Sequence, residues 1–210
     1  MVTTDTKAPR RENIALSKLR PTQLTVGMMQ VKFKRKRLRA LEGKPGELVE
    51  FILENPIRVV LGPRERAYVI DHHHLGLALI KEHFKTAPME IEEDFSGLLM
   101  VDFWKKMRAR KFLHLVSASG KRKDLNALPK DLRELRDDPY RSLAGFVREA
   151  GGYAKVRTPF AEFKWADFYR PRISEKLVRT HFHKALARAI GMASNKDAAG
   201  LPGYLVRRTK

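Results

Sequence analysis

The sequence predicts a mixed α/β (α+β) fold whose second half is mostly helical. Three observations predict it. Apolar, β-branched runs of strand length, such as IRVVL and AYVI, fall within the first hundred residues. Apolar residues at helical spacing dominate the second half of the chain, as in FAEFKWADFY. The chain has 210 residues and 43% apolar composition, enough for one domain core with a substantial extension.

The elements run in order along the chain. Residues 1–13 are polar and read as a flexible tail. Residues 14–24 enter as a strand and turn at Arg20-Pro21. A helix is expected over 26–41, capped by Thr22 or Thr25. Met28, Val31, Leu38 and Leu41 lie on one face, and Lys32, Lys34, Arg35, Lys36, Arg37 and Arg39 on the other. Gly43 to Gly46 breaks this helix. A second amphipathic helix covers 47–53 and stops at Asn55-Pro56. Strands at 57–61 and 67–70 flank the turn Gly62-Pro63-Arg64-Glu65, and a helix runs over 75–84.

Beyond these come a strand region at 89–100 with a turn at Ser96-Gly97, a helix at 102–111 and a strand at 112–116. A helical piece lies at 128–135. Asp137-Asp138-Pro139 opens a helix over 140–150, which Gly151-Gly152 ends. Tyr140, Leu143, Phe146 and Val147 are its core positions, while Arg141 and Arg148 could reach a phosphate, with a surface position the favoured expectation. An aromatic helix spans 160–169, and 173–190 is the longest helical candidate. The domain organisation expected is a tail at 1–13, an α/β domain at 14–100, a helical region at 101–204 packed on it, and a basic tail at 205–210.

Composition excludes several functions. Cysteine is absent, which removes disulfides, zinc–thiolate sites and thiol catalysis and suits a reducing cytoplasm. No run of 18 apolar residues is present, so no membrane partner is expected, and the first fifteen residues lack the apolar stretch of a secretory leader. Lys and Arg number 43 against 24 Asp and Glu, giving a net charge of +19 and a pI near 10.4. Such a field attracts polyanions, nucleic acid foremost.

One stretch carries chemistry. In YVIDHHHLGLAL (68–79), three of the chain's seven histidines come directly after Asp71 where a strand hands over to a helix. A helix N-terminus presents unpaired N–H groups and the positive end of a dipole, and phosphate is its natural ligand. His72, His73 and His74 would add donors that are cationic near neutrality. Asp71 could cap the helix, take a proton from an attacking hydroxyl, or hold Mg²⁺ that bridges phosphates. Zinc fits poorly, because adjacent histidines on a strand point to opposite faces and a helical pair needs i, i+4 spacing.

These residues resemble a known family. LRPTQLTVG (19–27), together with the downstream PIRVVLGPRERAYVIDHHHLGLAL, resembles the ParB/sulfiredoxin superfamily, and most of all its ParB-like nuclease branch. DFWKKM (102–107), DDPYRSLAG (137–145), FAEFKWADFYR (160–170) and LPGY (201–204) resemble the same branch, in the same order. The resemblance implies a ParB/sulfiredoxin-like N-terminal domain. In that superfamily an Asp-Gly-His-His-Arg type turn at a helix N-terminus binds nucleotide phosphates. Asp71 matches its aspartate, and His73 and His74 its histidines. His72 stands where the superfamily has glycine, and Leu75 where it has arginine. The missing close approach and clamp would then fall to His72, Lys32 or Lys34.

The expectation is therefore a DNA-associated protein that binds nucleotide (ATP, ADP or CTP) or nucleic-acid phosphate and performs phosphoryl transfer or phosphodiester hydrolysis. Asp71 and His73 would be catalytic. His72, His73, His74, Gln23 and Lys32 would bind phosphate, and Asp71 would hold Mg²⁺. Lys34, Arg35, Lys36, Arg37 and Arg39 would bind nucleic acid. Two alternatives stand beside it: an ATP- or ADP-dependent kinase of a small free amino acid such as serine, and a non-enzymatic DNA-binding protein. Sulfiredoxin chemistry is excluded, since it requires a cysteine.

Overall fold

The structure, a computed structural model, describes residues 10–206; residues 1–9 and 207–210, which hold most of the two expected tails, lie outside it. The described chain is mixed α/β, as expected. It runs β1 (Arg10–Ala15), β2 (Leu19–Pro21), β3 (Thr25–Val26), α1 (Met28–Ala40), α2 (Pro45–Glu54), β4 (Ile57–Gly62), β5 (Arg66–Val69), α3 (His73–Lys81), β6 (Thr86–Asp94), α4 (Met100–Ala109), β7 (Arg136–Asp137), α5 (Pro139–Glu149), α6 (Ala161–Tyr169), α7 (Glu175–Thr180) and α8 (Phe182–Ala193). It divides into two compact units. The first comprises residues up to 22, 34–113 and 129–134, and the second 23–33, 114–128 and 135 onward.

The first unit is built on a five-stranded sheet of order β1-β6-β4-β5-β2. β1 runs antiparallel to β6, β6 parallel to β4, β4 antiparallel to β5, and β5 parallel to β2. β1 begins at Arg10, ahead of the apolar residues that announce it in the sequence. It is an edge strand exposed along Arg10–Asn13, so its charged residues carry no period-2 signal and blunt the edge against pairing. β2 is the opposite edge, where Pro21 is tolerated because an edge strand leaves backbone groups outside the ladder. Val60, Tyr68, Phe95, Phe103 and Met107 form one apolar cluster of this unit, with Trp104, Phe112 and Leu113 packed against it. A Cβ on Gly76 of α3 would lie 3.1 Å from Leu132, so a small residue there lets the helix approach closely.

In the second unit β3 pairs in parallel with β7. A cluster formed by Tyr140, Leu143, Val147, Tyr153, Trp165 and Tyr169, with Ala185, Ala189 and Ala193 of α8, is its core. The Tyr153 and Trp165 rings stack at 4.3 Å. Asp138 caps α5 by accepting the Tyr140 N–H, with Pro139 in the first turn.

The strand region expected over 89–100 ends at Asp94, with Met100 already in α4, and four further local expectations change. The helix expected over 26–41 starts at Met28 and is not capped by Thr22 or Thr25. Its Met28 N–H donates to Asp137 Oδ1 (3.0 Å) and its Met29 N–H to Ser142 Oγ (3.2 Å). The strand expected over 112–116 is reduced to isolated bridges of His114 with Gln23 and of Val116 with Arg122. The helical piece over 128–135 is a single 3₁₀ turn, Leu132–Glu134, with another just before it at Leu125–Ala127. The long helix over 173–190 is two helices broken at His181, with φ −136° and ψ 58°. There the Thr180 hydroxyl donates to Lys176 O (2.8 Å) and also meets His181 Nδ1 (2.8 Å), side-chain bonds that compete with helical continuation.

Candidate functional site

The β4–β5 hairpin delivers the chain to the histidine turn. Its connection is tight because Arg64 and Glu65 both take positive φ (62° and 54°), the conformation that matches hairpin twist. After β5 the chain stays clipped to β4: the Ile70 N–H donates to Arg58 O at 2.9 Å. Asp71 then reaches the surface, and His72 turns into the left-handed region at φ 64°, ψ 28°. A non-glycine residue there costs about 1–2 kcal/mol. α3 starts at the next residue.

Three contacts hold His72. Its N–H donates to Asp71 Oδ1 (2.7 Å) and its carbonyl accepts the Gly76 N–H (2.9 Å). Its ring Nδ1 lies 2.8 Å from Pro56 O. A carbonyl oxygen only accepts, so Nδ1 carries the proton, and Nε2 is the acceptor nitrogen of the neutral ring. His72 supplies no side-chain cap to α3.

His73 turns inward and is 4% exposed. Its Nε2 lies 3.4 Å from both the amide nitrogen and the hydroxyl of Thr22. The Thr22 hydroxyl donates to Val69 O at 2.6 Å, so the Thr22 N–H is the donor to His73. This contact ties the end of β2 to the start of α3. His74 is half-buried.

Protein crowding around the Asp71 carboxylate acts to raise its pKa. The charge of His72, the His72 N–H, and the charges of His73 and Arg58 outweigh it and hold the carboxyl below its ordinary 3.8. Asp71 is therefore an anion at neutral pH. Arg58, the single cation on β4, is a residue that the sequence motifs do not pick out; it interrupts an apolar strand, which is the signal it offers. It pairs with Glu92, with Glu90 Oε1 3.6 Å away.

The other expected site residues fall in both units. Gln23 and Lys32 belong to the second unit. Gln23 is buried, and its side-chain amide donates to Thr25 O at 2.9 Å, while Lys32 is exposed. Along α1, Lys36 and Arg37 are exposed and Lys34 is half-buried. Arg35 and Arg39 both bind Glu82, through Nε to Oε1 (2.5 Å) and Nε to Oε2 (2.8 Å). A cavity of about 270 Å³ lies beside them, lined by Leu38, Arg39, Glu42, Leu48, Glu82, His83 and Phe84. It sits at the far end of α3 from the histidine turn and touches none of the expected catalytic residues.

Among the described residues no group of three His, Asp or Glu side chains could hold a metal ion. Asp71 alone still fits Mg²⁺, which commonly takes one carboxylate and completes its shell with phosphate oxygens and water.

A family model described as "Putative ParB-like nuclease" matches residues 12–171. The chain belongs to this family. A crystal structure of protein Atu1540 from Agrobacterium tumefaciens superposes with a TM-score of 0.86 at 43% identity, covering 96% of this chain and 100% of that one. No protein of curated function matches the chain in sequence. The match begins in β1 and ends just past α6, so it spans both the sheet and the first helices of the second unit. Among the described residues, no helix of this ParB-like chain is long and apolar enough to cross a membrane.

Within the stretch DDPYRSLAG the structure departs from expectation at Arg141. Expected at the surface, it is buried to 4% exposure. α5 is buried at nearly every position from Pro139 to Val147, so a one-face reading of its periodicity misses the arginine.

Proposed function

We propose that this ParB-like chain binds the phosphate group of a nucleotide or nucleic acid at the Asp71–His74 turn and transfers or hydrolyses it. One observation carries the reading. At the superfamily's glycine position His72 keeps the left-handed backbone a glycine would take, and its ring is pinned by Pro56 O so that Nε2 is left for a ligand. A left-handed turn at a helix N-terminus, with an imidazole added to it, supports the phosphate-cradle reading.

The roles rest on geometry. Asp71, held ionised below its ordinary range, is a weak proton acceptor but a strong hydrogen-bond acceptor. It orients the attacking hydroxyl or water and offers the carboxylate for Mg²⁺. Bound there, Mg²⁺ would supply charge neutralisation at the phosphate oxygens. With Nδ1–H held by Pro56 O, His72 donates from Nε2 only as the imidazolium, the form that a bound phosphate anion favours, and His74 is the second histidine offered to the phosphate. His73, facing Thr22, acts as a positioning residue for the turn. Leu75, standing where the superfamily has arginine, is 1% exposed and contributes packing. Arg58, whose charge reaches Asp71, is the guanidinium of the same unit that replaces the clamp. The +19 charge concentrates polyanions at the surface.

A thermal-shift panel of ATP, ADP and CTP with and without Mg²⁺ tests binding, because a ligand that binds only the folded state raises the Tm. Turnover of whichever nucleotide binds is then compared with Asp71→Asn. A shift with the wild type and turnover lost in the folded variant are expected. A hit with CTP points to a DNA-segregation role, and one with ADP plus a free amino acid to a kinase. Salt-steep DNA binding without any nucleotide response would leave a non-enzymatic DNA-binding protein. Full turnover in folded Asp71→Asn removes the proposed centre.

A further inference from the structure

A second site lies wholly within the second unit, around Arg141 of α5. Only 5% of this side chain is exposed. The guanidinium carbon lies 3.5 Å from the Phe163 ring centroid, so one flat face is covered by an aromatic ring. Its Nη2 donates to Glu162 Oε2 at 3.3 Å. The other oxygen of Glu162 is taken by Arg148, so one carboxylate serves two guanidiniums. The Nε and Nη1 atoms of Arg141 are buried and have no hydrogen-bond partner among the described residues.

Leaving a buried guanidinium this poorly matched is costly, since a charge taken out of water needs full pairing to offset its lost hydration. Natural chains keep such a group when something else completes it. A second orphan lies close by. The His114 ring centroid is also 3.5 Å from that of Phe163. Two planar groups at that distance from one centroid cannot share a face, so His114 and Arg141 sandwich the ring. His114 Nε2 is buried and lacks a partner among the described residues. Burial, with the charges of Arg141 and Arg122, pushes the His114 pKa down to about 3. The imidazole is therefore neutral at physiological pH and adds no repelling charge, while its field shows that Arg122 bears on the same place.

We propose that Arg141 is the anchor of a second ligand site, one that takes a small oxyanion head group, phosphoryl or carboxylate, with its Nε and Nη1 as donors and the neutral His114 on the far face of Phe163 as an uncharged neighbour. The head group is small because Nε and Nη1 are themselves buried and only 5% of the side chain is exposed. Glu162 is the internal competitor for the same cation. The site is built from residues of the second unit and does not depend on the function proposed for the Asp71–His74 turn.

Nitrogen-15 labelling of arginine Nε makes Arg141 directly observable in the full-length protein, its resonance assigned by its loss in Arg141→Lys. Titration with inorganic phosphate in one arm and acetate in another, at constant ionic strength set by chloride, is expected to shift that resonance saturably. The arm that responds names the head group. The shift persists in His72→Ala, which separates it from the histidine turn. Glu162→Gln, which removes the competing carboxylate, tightens the responding anion roughly tenfold, and this readout holds even if Arg141→Lys does not fold. An Arg141 resonance indifferent to both anions, or an affinity unchanged in Glu162→Gln, overturns the proposal and leaves Arg141 a packing cation.

Discussion

The imidazole of His72 donates from Nδ1 to the carbonyl oxygen of Pro56 across 2.8 Å. This bond joins the residue just before β4 to the residue just before α3. It fixes the tautomer of the ring, its orientation, and the left-handed backbone at φ 64° that carries it. The turn is therefore stiffened by a side chain at a left-handed position that a glycine would take without strain.

Two substitutions at this position separate backbone strain from the side-chain bond. His72→Ala loses the bond to Pro56 O and keeps the left-handed cost. His72→Gly loses the same bond and relieves that cost. The glycine variant is expected to be more stable than the alanine variant by about 1 kcal/mol, measured by urea unfolding. Equal stabilities would mean that the left-handed conformation is not what the solution structure holds.

The carboxyl of Asp71 gives a signed pH dependence. Its folded pKa lies below the ordinary 3.8, so the folded state binds the proton less tightly than the unfolded chain. Its contribution to stability is present above that ordinary value and is lost as pH falls through the folded pKa. Asp71→Asn is expected to be less stable than the wild type at neutral pH, by no more than about 1 kcal/mol because solvent screens the exposed carboxylate. The gap closes in acid. Unfolding curves from pH 7 down to pH 2 for the two proteins check both the sign and the window.

Local pattern carries the hairpin and most helices. Alternating or β-branched apolar runs at 57–61 and 67–70 become β4 and β5 because both are central strands with buried faces. β1 is partly illegible because an exposed edge strand needs no apolar face. The start of α1 is misread from sequence because its cap comes from Asp137 and Ser142, more than a hundred positions away, and no local motif encodes such a partner. The histidine turn is legible as a junction. That His73 turns inward to Thr22 is not, since three identical neighbours give no hint of which one the tertiary structure buries. Arg141 is hidden for a related reason: a helix buried on nearly all sides has no polar face from which an arginine can be read as exposed.

Gly62, the last residue of β4, tests the packing beneath the hairpin. A Cβ there would lie 2.5 Å from Tyr68 Cε2 and 2.8 Å from Phe103 Cε2. Tyr68 and Phe103 are 4.6 Å apart at their centroids and both are buried, so neither ring has room to yield. Gly62→Ala is expected to destabilise the first unit by about 1–3 kcal/mol. Trp104 lies 5.2 Å from the Tyr68 ring, so its fluorescence during urea unfolding reports the loss. A variant as stable as the wild type would mean that the rings are not packed as described.

Glu82 sets how much of the α1 charge is available to a polyanion. Its two oxygens hold Arg35 and Arg39, while Lys36 and Arg37 stand exposed on the same helix. Glu82→Gln raises the net charge by one and weakens the tether on both guanidiniums. If α1 is the surface that meets nucleic acid, this variant binds duplex DNA more tightly, and its log K against log salt steepens by about 1–2 as the freed cations reach phosphates. Lys36→Ala and Arg37→Ala do the opposite, each flattening the slope by about 1. Fluorescence anisotropy across a salt series measures all three. Slopes that stay put in every variant would move the polyanion surface off α1, with the charge excess of the chain acting from elsewhere.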